Sequence, residues 1–299
     1  MFSFKQINSM IELTAGLIDV FADEPLSGNP LAVVEDADGL SDEQMRRVAG
    51  EFNQAETTFI MQSTRADRKL RSFTASGAEV IGAGHNALGA WLWLGEQGKL
   101  GALLVPRTFQ QEIGDVVLPI TLAIVSGRVF GRMRQAPLTL LPKLSNTIPL
   151  ADALGLTAEE ILNSPPVRPA DTGVTHLLVR VRDRSSVDGA TPVASALLNV
   201  LRATGAEGCY IYSHDPAMPD IAYARFFNPT VGLWEDAATG TAAGPLAAYL
   251  AHEGVIKNGV LAIEQGTKMG RRSILNIELT PDAELSGSGI IVMLGTLKL

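Results

Sequence analysis

The chain has little sulfur chemistry and little positive charge to offer. Cys209 is the only cysteine in 299 residues, so neither an intrachain disulfide nor a thiolate metal site is expected. The four histidines, His85, His176, His214 and His252, are scattered, with no pair at the i+2 to i+4 spacing of a metal motif. No metal is therefore predicted. Lys and Arg number 24 against 32 Asp and Glu, a net charge of −8. Nucleic acid and anionic membrane both require a basic face, so neither is expected as a partner. The apolar stretch around "ALGAWLWLG" is far short of the ~20 residues that span a bilayer. The opening "MFSFKQINSM" lacks the apolar core and cleavage signature of a signal peptide, and a soluble, cytoplasmic protein is expected. No G-x-S-x-G elbow occurs, which weakens an esterase reading.

What is present is a globular composition, 46% hydrophobic and 19% charged, of a length suited to one large domain or two ordinary ones. "SDEQMRRVAGEFN" predicts a helix opened by a capping box of Ser41 and Gln44. "LTAGLIDVFA", "LAVV", "AETTFIM" and "KLRSFTA" read as strands, as do "GALLVPRTF", "DVVLPITLAIV" and "RVFGRMRQ", the last three antiparallel. "APLTLLPKLSNTIP" reads as a linker. Beyond it, helices are expected after Thr157 and after Thr191, the second with Pro192 at N1 and Gly205 as its stop. "THLLVRV", "EGCYIYS" and "IAYARFF" follow as strands. The order is not a run of βαβα units, so a doubly wound parallel sheet is not the natural reading.

Segments 71–94 and 225–250 share a plan: an Arg-x-Phe strand, a Gly-containing turn, an acidic residue, and a small-residue-rich helix opened by Gly. Two copies of one unit suggest two related halves whose helix N-termini face a shared cleft. The first of these helices opens inside "VIGAGHNALGA", where Gly82, Gly84 and Ala87 match the spacing of a dinucleotide-binding turn. That turn needs a buried strand before the first Gly and an acid about 20 residues on. Here only Val80 and Ile81 are strand-like, and no Asp or Glu lies between Lys99 and Gln111. Arg107 leaves an NADP-dependent oxidoreductase as a lesser alternative.

Three polar groups stand out instead. Glu56 opens a strand of Thr and apolar residues, His85 follows Gly84 at a helix start, and Asp236 precedes another helix start. Two carboxylates and a neutral imidazole can move a proton without a cofactor. The backbone around Gly84 and around Thr239, Gly240 and Thr241 offers N–H groups to a substrate carboxylate. Each candidate has a plainer reading: a solvated strand-end charge for Glu56, a satisfied turn histidine for His85, an ordinary N-cap for Asp236.

"DVFADEPLSGNPLAVV", "EFNQAETTF", "AGHNALGAWLWL", "TGVTHLLV", "RFFNPTVGLWEDAATGTAAGPLAAYL" and "EQGTKMGRRS" occur in the order and spacing of the PhzF-like phenazine-biosynthesis family, which the chain resembles from about residue 13 onward. The resemblance implies a diaminopimelate epimerase-like α+β fold. Two similar domains, each a mixed β-sheet curled around a central helix, would enclose the active site in the interdomain cleft. The halves are placed at residues 1–130 and 136–287, with a last strand of about 288–299 able to return to the first. The resemblance also implies a homodimer and a cofactor-free isomerase that relocates a proton on a cyclic or conjugated carboxylic acid. It assigns the proton carrier to Glu56, supporting roles to His85 and Asp236, and places Thr241 where the family usually has Ser; substrate contacts are expected from Gly84, Asn86, Thr239, Gly240 and Thr241. Asn86, Ala237 and Ala75 stand where the family usually has Pro. Those changes support one alternative from another class, a catalytically silent ligand-binding homologue. A racemase that uses two thiols is excluded by the single Cys209.

Overall fold

The computed structural model describes residues 10–231 and 233–299. Of the segment read above for a signal peptide, all but Met10 lies outside the described residues. The first part of the chain runs β1 (Glu12–Val20), β2 (Asn29–Val34), α1 (Asp42–Phe52), β3 (Glu56–Met61), β4 (Arg68–Phe73), β5 (Glu79–Val80), α2 (His85–Glu96), β6 (Arg107–Ile113), β7 (Val116–Val125) and β8 (Arg128–Arg134). The rest runs β9 (Thr139–Leu140), α3 (Ile148–Leu154), β10 (Arg168–Asp171), β11 (Thr175–Arg180), α4 (Arg184–Gly189), α5 (Ala194–Thr204), β12 (Gly208–His214), β13 (Ile221–Asn228), β14 (Leu233–Asp236), α6 (Gly240–His252), β15 (Val260–Gln265), β16 (Ser273–Leu279) and β17 (Ala283–Lys298). This is a sheet-rich α+β fold with mixed pairing.

The order of pairings occurs twice. β1–β2 is antiparallel, β2–β3 parallel, β3–β4 antiparallel, β4–β6 parallel and β6–β7 antiparallel. β10–β11, β11–β12, β12–β13, β13–β15 and β15–β16 repeat that alternation. Each series also contains a short strand hydrogen-bonded to the strand before it, β5 on β4 and β14 on β13, and a helix follows each of them. β17 joins the two series: its first residues pair with β16 and β8, and Gly289–Lys298 pair with β1.

α2 and α6 are the helices buried against the sheet. Ten consecutive residues of α2, His85 to Leu94, are buried, and it packs on β1, β2, β3, β8 and β17. Trp91 and Trp93 are fully enclosed, with indole N–H groups donated to Gln111 and Glu35. Burial of side chains this large contributes most of what holds the helix. Gly89 is required by close approach: a Cβ there would stand 2.6 Å from Leu31 and 2.7 Å from Val20. In α6, a Cβ on Gly244 would overlap the side-chain amide of Gln135.

The α1 capping box forms as expected. Elsewhere tertiary contacts override local signals. Thr157 and Glu160 do form a capping box, but only one 3-10 turn follows, because Ile161 is drawn into a bridge with Val181. α5 starts at Ala194 with Val193 as N-cap, not at Thr191. Thr191 instead gives its N–H to Leu154 O and packs on Gly155. The expected linker carries β9 and is anchored by the Arg168 guanidinium on Leu141 O, at 2.6 and 2.9 Å. The strand placed in "GALLVPRTF" begins only at Arg107. Among the described residues, no helix is long and apolar enough to cross a membrane.

Candidate active site

A cavity of about 940 Å³ lies where β3, the β4–β5 turn and the start of α2 meet β11, β13 and the start of α6. Its wall includes all eight residues expected from sequence: Glu56, Gly84, His85, Asn86, Asp236, Thr239, Gly240 and Thr241. Among the described residues, no Lys or Arg lines it.

Glu56 is delivered by the end of α1, whose C-cap Asn53 turns the chain through a left-handed conformation (φ 51°) into β3. Its Oε2 is shut off from solvent and has no hydrogen-bond partner among the described residues. Burial, and then the nearby charge of Asp236, push its pKa up to about 8. The solvated strand-end reading of Glu56 is thereby corrected. His85 is the first residue of α2 and is buried, with Nε2 unpartnered. Burial holds its pKa down to about 4, and the positive end of α2 acts in the same direction. The ring is neutral at pH 7.

Asp236 ends β14 and is not the N-cap of α6; that position belongs to Thr239. Asp236 Oδ2 accepts from Thr239 Oγ1 at 2.6 Å, and Oδ1 accepts from Asn29 Nδ2 at 2.8 Å. Burial raises its pKa to about 6, against the pull of those two donors. Of two facing carboxyls, the one with donors ionises first. The shared arrangement therefore holds a proton on Glu56 beside an ionised Asp236.

Not every expected substrate contact is free to make one. The Gly84 N–H donates to Asn86 Oδ1 at 2.7 Å, while Asn86 Nδ2 donates to Gly82 O at 2.9 Å and Ser72 Oγ at 3.2 Å. Asn86 thus clamps the turn that presents His85. Thr239 uses its hydroxyl on Asp236 and Gln265, and its N–H donates to Gln265 Oε1. The amides that open α2 and α6 after these positions have no intrahelical acceptor, as in any first helical turn, and the Thr241 hydroxyl remains on the cavity wall.

Three residues of the site were missed in sequence. Asn29 opens β2 after a polar turn, and nothing local marks it as a partner of Asp236. Gln265 bridges Asp236 O, Thr239 and the Tyr210 hydroxyl. His176, a lone histidine in the apolar run "THLLVRV", lines the cavity with its Nε2 3.0 Å from Thr241 Oγ1. A polar residue in a strand otherwise buried was the available signal for it. Cys209 is in the core against β11 and α5 residues, away from the cavity wall, and burial pushes its thiol pKa up. β5, two residues long, partly exposed and antiparallel to β4, is not the buried strand a dinucleotide turn requires.

The wall carries the carboxyls of Glu56, Glu79, Glu207 and Asp236 and the neutral imidazoles of His85 and His176 among backbone amides and hydroxyls, a set of groups able to move a proton. The description "Phenazine biosynthesis-like protein" belongs to the family model matched by residues 18–295. Trans-2,3-dihydro-3-hydroxyanthranilate isomerase of Pseudomonas chlororaphis is 31% identical, over 95% of this chain and 98% of its own. The crystal structure of a PhzF-family phenazine biosynthesis protein of Bacillus anthracis superposes with a TM-score of 0.86 at 26% identity, over 97% of this chain and 99% of that one. A Pseudomonas aeruginosa protein titled a predicted epimerase gives 0.82 at 27% identity, over 95% and 99%. The chain belongs to the phenazine biosynthesis-like family and is an isomerase of it.

Proposed function

We propose that this enzyme relocates a proton on a small cyclic or conjugated carboxylic acid, without a cofactor, and that Glu56 carries the proton. One observation carries the reading: a half-buried carboxyl whose Oε2 is enclosed without a hydrogen-bond donor, its pKa raised to about 8, faces the same cavity as an ionised Asp236 and a neutral His85. A carboxyl with a pKa near neutrality both accepts and returns a proton efficiently. Glu56 takes the proton from carbon next to the conjugated carboxylate and gives it back elsewhere on the same system. His85 and Asp236 orient the substrate and help the proton pass. The substrate anion is met by the amides opening α2 and α6, since no cationic side chain lines the cavity among the described residues.

In this reading the cavity is a cleft between two halves, residues 1–130 with about 288–299, and residues 136–287. The duplicated pairing order supports that division, as does the pairing of Gly289–Lys298 with β1. Trans-2,3-dihydro-3-hydroxyanthranilate, the compound named for the Pseudomonas relatives, is the first substrate to test. Turnover in deuterium oxide should place solvent deuterium on product carbon, and Glu56→Gln should abolish that incorporation. Unchanged incorporation in Glu56→Gln would remove the residue from the mechanism.

A further inference from the structure

His176 stands on β11 with 2% of its surface exposed, and no role read from the sequence involves it. Its Nε2 is 3.0 Å from Thr241 Oγ1, and its Nδ1 is buried without a partner among the described residues. The ring is held edge-on to Phe226, with centroids 4.9 Å apart and an interplanar angle of 86°. Burial keeps it neutral, with a pKa near 3 that Asp171 only partly offsets, so the ring carries a single N–H.

Which nitrogen holds that hydrogen decides what Thr241 does. A hydrogen on Nδ1 would leave a buried N–H with no acceptor, the rarest kind of unsatisfied group. It would also make Nε2 an acceptor and turn the Thr241 hydrogen toward the ring. With the hydrogen on Nε2, the ring donates to Thr241 Oγ1 and only a lone pair is left bare on Nδ1. The hydroxyl hydrogen of Thr241 is then free for an acceptor in the cavity.

We propose that His176 is a positioning residue which, as its Nε2–H tautomer, fixes the Thr241 hydroxyl as a hydrogen-bond donor to a substrate oxygen. The substrate step rests on the isomerase reading above, whereas the tautomer does not. A cavity with no lysine or arginine on its described wall gains from every oriented neutral donor when its ligand is an anion.

The test uses the full chain with its histidine rings labelled with nitrogen-15. Long-range proton–nitrogen correlation at neutral pH reads both ring nitrogens, and His176→Gln identifies the signals that belong to position 176. A hydrogen on Nε2 and a bare Nδ1 are expected; the opposite tautomer, or comparable amounts of both, overturns the proposal. Turnover of trans-2,3-dihydro-3-hydroxyanthranilate supplies a second readout. His176→Phe keeps an aromatic ring against Phe226 without a donor, and should lower kcat/KM about three- to tenfold. His176→Gln, which returns an N–H near the position of Nε2, should recover most of that loss. In a Thr241→Val background, His176→Phe should add less than about twofold, because the two residues act as a unit. Full additivity would overturn the role assigned to the pair. If the wild-type chain does not turn this compound over, the substrate reading fails while the ring-nitrogen result still decides the role of His176.

Discussion

Asn29 donates its side-chain amide to Asp236 Oδ1 at 2.8 Å across 207 positions of sequence, and to Ala238 O at 2.9 Å. The loop that presents Asn29 is itself tied down. Arg271 donates to Asp19 Oδ1 at 2.6 Å, to Ser27 O at 2.9 Å and to Gly28 O at 2.9 Å, and Asp19 Oδ2 accepts the Leu26 N–H at 2.7 Å. Buried Asp19 thus fixes the loop from β1 while Arg271 fixes it from the β15–β16 connection. Asn29→Ala removes one of the donors that keep Asp236 ionised, so the Asp236 pKa should rise above about 6. The acid limb of the kcat/KM profile should move to higher pH. A profile identical to wild type would show that Asp236 does not need that donor.

A second ascending limb of the profile, at higher pH, belongs to Glu56. Abstraction requires its carboxylate, and burial followed by the Asp236 charge raises its pKa to about 8. kcat/KM is expected to climb through about pH 8 and to level off roughly one unit above it, as the carboxylate form fills. Asp236→Asn removes the neighbouring charge and preserves shape. Glu56 should then ionise at lower pH and the limb should shift downward, even though the plateau is reduced by loss of the orienting carboxylate. An unshifted limb in Asp236→Asn would mean that the two carboxyls do not sense one another.

Much of this arrangement could be read from the sequence because each residue broke its local pattern. Glu56 opens a strand of Thr and apolar residues, His85 sits in a small-residue helix start, and Asp236 precedes a second one. The capping box of α1 is likewise local, a matter of Ser41 and Gln44. What escaped was set by distant partners. Asn29 matters through Asp236, His176 through Thr241 and Gln265 through Thr239, and no periodicity links the members of these pairs. The start of α5 is set in the same way: Thr191 is a good N-cap by type, yet Val193 is held extended (φ −97°, ψ 112°) with its N–H on Ala153 O, so the helix begins only at Ala194.

Glu56 should also leave a mark on stability. Its folded pKa of about 8 exceeds the ordinary 4.5, so the folded state binds a proton that the unfolded chain releases between those values. The favourable contribution is complete below about pH 4.5 and is lost as pH rises through about 8. Glu56→Gln keeps the neutral shape and removes the titration. At pH 8.5 the variant should unfold about a few degrees above wild type, with the gap closing toward pH 4.5. Thermal unfolding across that range checks it, and a gap that does not change with pH would contradict the raised pKa.

The last prediction concerns the residue beside Asp236. Glu235 receives both arms of Arg225, at 2.8 and 2.9 Å, with both side chains nearly enclosed. Arg225 also donates Nη1 to Val187 O at 3.1 Å and Ala190 O at 2.9 Å, which ties the end of α4 to β13. Glu235→Ala leaves the guanidinium buried without its counter-charge and should cost about 3–5 kcal/mol in chemical denaturation. Replacing both partners with apolar residues of similar size removes the stranded charge. It does not restore full stability, because the Ala190 carbonyl then loses its donor and Val187 O keeps only the long bond from the Ala190 N–H at 3.4 Å, at about 1–3 kcal/mol. The double variant should therefore fall between wild type and Glu235→Ala. Equal stability of double variant and wild type would show that water replaces Arg225 at those carbonyls without cost.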